Sequence, residues 1–134
     1  MNKIDLKKTA YRLIDTFLKA GKLAKEIAHR GVKVTIKSDN TPVTNGDLAV
    51  DQLLREKIEK LTPDIPIISE ETVNTSEENK YKNFWLIDPI DGTKDYIKKK
   101  DEYTLNAGLI IDLKPVAGIV LLLRNSKAFP EPYE

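Results

Sequence analysis

The stretch "WLIDPIDGTKDYI", residues 85–97, packs two aspartates, a proline, a glycine and a threonine into six consecutive positions behind an apolar run. A short apolar run of this kind is a buried strand. Asp88 and Asp91, three residues apart, therefore fall at the end of that strand. Two readings are open on these residues alone. One is a turn closed by an aspartate cap, the ordinary use of Asp, Pro and Gly in sequence. The other is a metal site facing a phosphate.

The second reading needs more acids from a neighbouring strand, and the chain offers them. "IPIIS" is short, apolar and β-branched, which predicts a strand ending near Ser69, and Glu70 and Glu71 follow it directly. If the two strands are neighbours, three or four carboxylates converge at one sheet edge. Like charges that close raise one another's pKa unless a cation sits between them. Oxygen donors without nitrogen or sulfur favour Mg²⁺, Mn²⁺ or Ca²⁺. Pro89 stiffens the link between the aspartates, and Gly92 lets a ligand approach the backbone. A helix starting at Gly92–Thr93 would turn free N–H groups toward an anion. Plainer roles stand beside these. Glu70–Glu71 also reads as a solvated loop, and Thr44-x-x-Asp47 reads as a capping box that opens a helix. Capping and catalysis are both open for Asp47.

Competing phosphatase chemistries fail on spacing or composition. No G-x-x-x-x-G-K-[ST] is present, so the chain is not a P-loop enzyme. An aspartyl-phosphate enzyme would space its aspartates as Asp-x-Asp, and cysteine phosphatases need a cysteine, of which there is none. The lack of cysteine also removes disulfides and zinc–thiolate sites and fits a cytoplasmic protein, at most peripheral at the inner face of the membrane. His29 is the sole histidine. The net charge of +1 gives no global field toward a nucleic acid polymer or a membrane surface. The N-terminus has no signal-peptide core, and no apolar run approaches the roughly 18 residues of a transmembrane helix.

Around these motifs the pattern predicts an α+β fold. Leu6, Ala10, Leu13, Ile14, Phe17, Leu18, Ala24, Ile27 and Ala28 recur at helical steps, predicting a helix from about Leu6 to Arg30 that ends at Gly31. Gly21 inside it marks a bend or a close helix contact. "VKVTIKS" alternates as a strand, and "DNTPVTNGD" supplies turn chemistry. A second helix is expected over about Gly46 to Leu61, with Val50, Leu54, Ile58 and Leu61 on one face. "ETVNTSEENKYKN" reads as a surface loop, and "TLNAGLII" and "PVAGIVLLL" as paired strands joined through "DLKP". Helices on one face of a sheet follow from this order.

"SEE", "WLIDPIDGTKDYI" and "KSDNTPVTNGD" resemble the inositol monophosphatase superfamily of Mg²⁺-dependent, lithium-sensitive phosphatases. "DNTPVTNGDLAVDQLL", "LTPDIPIISEE" and "DGTKDYI" resemble its CysQ-type 3′(2′),5′-bisphosphate nucleotidase branch. The resemblance runs from about Ala10 to Val120 and implies the N-terminal portion of the sugar-phosphatase fold, two helices packed on a mainly antiparallel sheet. It also implies site roles. Glu70, Asp88 and the Ile90 carbonyl would hold one Mg²⁺, and Asp88 and Asp91 would share a second. Thr93, paired with Asp47, would orient or deprotonate the attacking water, with Glu70 also in the catalytic set. The amides of Gly92 and Thr93 would hold the phosphate. Lys37 and the loop after it resemble a segment that closes over the site. The implied substrate is the small phosphate ester 3′-phosphoadenosine 5′-phosphate, a by-product of sulfate assimilation, cleaved to AMP and phosphate. An inositol monophosphatase-like activity and a non-catalytic fragment are the alternatives.

The family's W-D-x-A-A element, whose aspartate completes the second metal site, has no counterpart here, since Trp85 is the only tryptophan. After Gly118-Ile119-Val120 the tail "LLLRNSKAFPEPYE" leaves the family pattern. The expected division is therefore a metal-binding portion over 1–120 and a divergent tail over 121–134. A truncated or frame-shifted product, without the C-terminal α/β half and with little or no activity, is expected. An exposed sheet edge along Val116 to Leu123 would invite self-association.

Overall fold

Helical periodicity in the N-terminal segment does produce a helix, but only part of its apolar content is buried. In the computed structural model, which describes residues 3–69, 81–98 and 102–123, the first element is α1 (Lys3–Arg30). Leu13, Phe17, Ala20 and Ala24, spaced by four, three and four residues, are at most 1% exposed. Ile14 and Leu18, counted in the sequence as part of the same face, are 45% and 56% exposed. They lie on the adjacent stripe, one residue round the helix from the core.

Strands β1 (Val34–Ile36) and β2 (Pro42–Thr44) form a separate antiparallel hairpin. The strand expected in "VKVTIKS" forms at Val34–Ile36, while the turn expected after it is in part a second strand. All three residues of β1 are exposed, while Val32 just before it packs against the core. "PVT", read as turn chemistry, is a strand whose Val43 and Thr44 are buried. Proline is tolerated there because it occupies the first position of the strand. Helix α2 (Asn45–Leu61) follows at once and buries Val50, Leu54 and Ile58 completely. Thr62 closes it, its N–H and hydroxyl both donating to the Ile58 carbonyl at 2.8 and 3.0 Å.

The main sheet has the order β3–β4–β5–β6, built from β3 (Ile67–Ser69), β4 (Phe84–Asp91), β5 (Tyr103–Ile111) and β6 (Lys114–Leu123). The β3–β4 pair is parallel and the other two are antiparallel, so the sheet is mainly antiparallel as expected. Parallel neighbours need a long crossover, and the "ETVNTSEENK" part of that connection lies outside the described residues. β6 runs to Leu123, the full extent of the strand expected in "PVAGIVLLL", and Leu123 is buried. Residues 124–134 lie outside the described residues.

Both long helices cover one face of this sheet. Trp85, Ile87, Leu105 and Leu109 meet Leu13, Phe17, Leu54 and Ile58 in one core. The Trp85 indole N–H is satisfied by Thr62 Oγ1 at 3.0 Å. Gly21 lies within α1. It is where α1 presses on β6, since a Cβ there would come within 2.7 Å of Leu121 Cδ2 and 3.1 Å of Leu123 Cδ2. The other sheet face carries Leu86, Val120 and Leu122 in the open, and β6 is its outermost strand.

Because a one-residue slip moves every side chain to the opposite face, two leucines test the β5–β6 register. Leu105, fully buried on β5, should cost about 3 kcal/mol on truncation to alanine. Leu122, 54% exposed, should change stability by no more than about 0.5 kcal/mol. Urea unfolding of Leu105→Ala and Leu122→Ala decides this, and the reverse ranking would contradict the register.

Candidate active site

A proline decides where the two aspartates of β4 go. The β4–β5 ladder runs regularly from Phe84↔Ile110 to Asp88↔Asn106 and then resumes at Asp91↔Thr104. Three steps along β4 thus match two along β5, so one residue is extra and the strand bulges. Pro89 sits within the bulge, where its missing N–H costs the ladder least. On a regular strand residues three apart face opposite sides. The bulge cancels that alternation, and Asp88 and Asp91 both line one cleft of about 360 Å³.

The strand leaves the bulge through Gly92, whose φ of +93° is left-handed. A Cβ there would also meet the Glu102 carbonyl oxygen at 3.2 Å. Only glycine meets both conditions at low cost. The short helix α3 (Thr93–Ile97) begins immediately after it. Gly92, Thr93 and Lys94 line the cleft on this side, and Lys37, Asp39 and Thr41 of the β1–β2 hairpin line the other. The hairpin turn is held by Lys37 N–H donating to Thr41 O at 2.8 Å and Asn40 N–H donating to Lys37 O at 2.9 Å. Asp39 accepts from both the N–H and the hydroxyl of Thr41, at 3.1 and 2.5 Å.

Asp47 stands behind Thr93 rather than on the cleft wall. It is 1% exposed, and its two carboxylate oxygens have different partners. Oδ2 accepts from the Thr44 N–H at 2.9 Å and the Thr44 hydroxyl at 2.6 Å, while Asp47 N–H donates back to Thr44 Oγ1 at 3.0 Å. That is the capping box of α2. Oδ1 is 3.3 Å from Thr93 Oγ1, which is also 3.1 Å from the Ile90 carbonyl. One carboxylate therefore closes a helix and reaches the site through a threonine. Burial pushes its pKa above the ordinary 3.8, against the opposing pull of the Thr44 and Thr93 hydrogen bonds and the Lys37 charge.

Two contributors escaped the sequence reading. Asp51, one turn after Asp47 on the buried side of α2, accepts from Ser69 Oγ at 2.5 Å and lies 3.7 Å from Arg55 Nε. It anchors the end of β3 directly before Glu70. The signal was a carboxylate at helical spacing from Asp47 on an apolar face. Tyr96, fully buried, donates to the Ala24 carbonyl of α1 at 2.7 Å. Glu70 and Glu71 lie outside the described residues. Among the described residues, no three carboxylate or histidine side chains gather as a metal set. The described donors are the Asp88 and Asp91 carboxylates and the Ile90 carbonyl. Their all-oxygen chemistry fits a hard divalent cation such as Mg²⁺.

The description "Inositol monophosphatase family" belongs to a family model that matches residues 5–127. The 3′(2′),5′-bisphosphate nucleotidase CysQ of Aggregatibacter actinomycetemcomitans is 40% identical over 110 residues, 81% of this chain and 41% of that protein. CysQ of Haemophilus influenzae is 40% identical over 103 residues, 75% of this chain and 38% of that one. Among solved structures, CysQ from Bacteroides thetaiotaomicron is 30% identical with a TM-score of 0.60, over 86% of this chain and 42% of its own. The extragenic suppressor protein SuhB from Bartonella henselae has a TM-score of 0.74 at 20% identity, over 86% of this chain and 44% of its own, a likeness of fold. The chain spans about two fifths of the length of the curated relatives it matches.

The shared carboxylate has a pH signature. Carbon-detected titration should place Asp47 above 3.8, and Thr93→Val should move it higher, because a hydrogen bond that favours the charged form is lost. The folded value is raised, so the stability linked to this group is greatest below 3.8 and falls as pH rises through the folded midpoint. A midpoint below 3.8, or one that Thr93→Val lowers, would contradict the geometry.

Proposed function

The chain belongs to the inositol monophosphatase family, and we propose that its cleft is the cation-binding part of a phosphomonoesterase site of the 3′(2′),5′-bisphosphate nucleotidase type. The substrate in this reading is 3′-phosphoadenosine 5′-phosphate and the products are AMP and phosphate. One observation carries it. The bulge that brings Asp88 and Asp91 onto one cleft ends beside a threonine hydroxyl backed by a buried carboxylate. A turn with an aspartate cap requires neither the second aspartate on the same wall nor Asp47 behind Thr93. The nucleotidase branch is supported by the printed function of the curated relatives at 40% identity.

Asp88, Asp91, the Ile90 carbonyl and Glu70 would hold Mg²⁺. A divalent cation bound there would lower the pKa of the attacking water and neutralise charge building on the leaving oxygen. The chain's own residues do the rest. Thr93 Oγ1 donates toward Asp47 or the Ile90 carbonyl, so its lone pairs are available to accept from a water in the cleft. Asp47, with its raised pKa, is the better proton acceptor behind that hydroxyl. Lys37 lines the cleft on the hairpin side, where its charge favours a phosphate, and Gly92 lines the opposite side. Lithium sensitivity, a cytoplasmic location and a place in sulfate assimilation belong to the same proposal. No described helix is long and apolar enough to cross a membrane.

On their own these 134 residues should turn over weakly, because they hold no W-D-x-A-A aspartate. β6, outermost among the described strands and with Val116, Val120 and Leu122 exposed, favours self-association at the sheet edge.

Magnesium titration followed through Trp85 fluorescence, with phosphate release measured in parallel, tests these claims. Saturable binding reversed by chelator and weakened in Asp91→Ala is expected. Phosphate release should be slow, higher from 3′-phosphoadenosine 5′-phosphate than from inositol 1-phosphate, and lower by about 10²-fold in Thr93→Val. A reversed preference would assign the inositol-phosphate branch. Fast turnover would contradict the weak activity, and no response to Mg²⁺ in either assay would contradict the phosphatase reading.

A further inference from the structure

A close contact beside the Asp47–Thr93 pair is made by neither residue. Gly46 directly precedes Asp47 at the start of α2, and Tyr96 follows Thr93 by three residues in α3. A Cβ on Gly46 would lie 2.3 Å from the Tyr96 phenol oxygen and 2.7 Å from two of its ring carbons. Real Cβ contacts do not come that close, so the ring occupies the space a side chain at 46 would need.

Tyr96 has little freedom to retreat. It is 1% exposed. Its hydroxyl donates to the Ala24 carbonyl at 2.7 Å, and its ring meets Tyr103 edge-on, with centroids 5.0 Å apart at 75°. Its own N–H donates to the Gly92 carbonyl at 3.0 Å, tying the ring to the turn that presents Thr93. Burial pushes the phenol's pKa upward, so the group stays a neutral donor.

We propose that Gly46 and Tyr96 form a matched small–large pair that sets the separation of Asp47 and Thr93, making Tyr96 a positioning residue for the site. Each end of the pair is one short backbone link from the contact. At 3.3 Å the Thr93–Asp47 hydrogen bond is already long, so a shift of a few tenths of an ångström opens it. Tyr96 thereby fastens α3 to α1 through Ala24, and to the start of α2 through Gly46. The catalytic meaning of this device rests on the phosphatase reading above; the geometric coupling does not.

A double-mutant cycle tests it, using Gly46→Ala, Tyr96→Phe and both together. Three quantities are read: the urea midpoint, the ¹H–¹⁵N amide positions of Thr93 and Asp47, and phosphate release. Gly46→Ala should lower the folded-to-unfolded ratio about tenfold through overpacking and move both amides. Tyr96→Phe removes the atom that the new Cβ strikes first. The two ring carbons at 2.7 Å remain, but without the hydroxyl and its tether to Ala24 the ring can withdraw, so the double variant should recover part of the lost stability and return the Thr93 amide part of the way to its original position. A Tyr96 that only fills the core would let Gly46→Ala lose stability without moving the Thr93 amide, and that result overturns the proposal; the Asp47 amide, bonded to residue 46, moves in either case. Strictly additive losses in the double variant overturn it as well, as does a double variant that folds no better than an unfolded Gly46→Ala. Coupling observed in a chain that gives no response to Mg²⁺ by fluorescence or phosphate release would leave the pair standing and count against the phosphatase reading alone.

Discussion

The arrangement depends on one buried carboxylate serving two masters. Asp47 is removed from water, which costs several kcal/mol for an ionised group left without partners. Hydrogen bonds from the Thr44 N–H and hydroxyl to Oδ2, and from Thr93 to Oδ1, offset that cost. The same bonds close the N-terminus of α2 and fix the first residue of α3. Capping residues of this kind are worth about 1 kcal/mol to a helix, so the site's geometry is coupled to fold stability instead of being added to it. Asp51, one turn further along, holds Ser69 at the end of β3 in the same manner. Helix α2 therefore reaches both strand ends that carry acids, with Asp47 toward β4 and Asp51 toward β3.

The bulge in β4 makes the complementary contribution. Without the extra residue around Pro89, Asp88 and Asp91 would face opposite sides of the sheet, and no cleft could collect both. The left-handed Gly92 then turns the chain so that Thr93 follows within the same cleft. Three unusual backbone choices in five residues, Pro89, the bulge and Gly92, are expensive unless the side chains between them are used. That is the physical content of the family resemblance in "DPIDGT".

Much of this was legible in the sequence, for identifiable reasons. Helical periodicity located α1 and α2 because their core stripes are continuous, and apolar runs located β3 to β6 because those strands bury at least one face. The capping box was readable from Thr44-x-x-Asp47, since it is a local interaction. What failed was whatever depended on partners distant in sequence. Ile14 and Leu18 look like core until the sheet's position selects one stripe of α1. β2 hides under turn residues, because the hairpin with β1 and not propensity makes it a strand. The pairing of Gly46 with Tyr96 spans fifty residues and has no local signature at all. The expected role of Glu70 lies outside the described residues.

The central claim is that the described acids at the end of β4 form one cation-binding locus backed by Asp47 and Thr93. Paramagnetic broadening of backbone amides by sub-stoichiometric Mn²⁺ tests it most directly, because Mn²⁺ takes the same hard oxygen donors and reports position without requiring turnover. Broadening should centre on Asp88 to Thr93, extend to Asp47 and Lys37, spare the Asp112–Leu113 turn at the far end of the sheet, and be displaced by Mg²⁺. Broadening centred on other carboxylates, or spread evenly over the surface acids with Asp88 to Thr93 unaffected, would contradict the account.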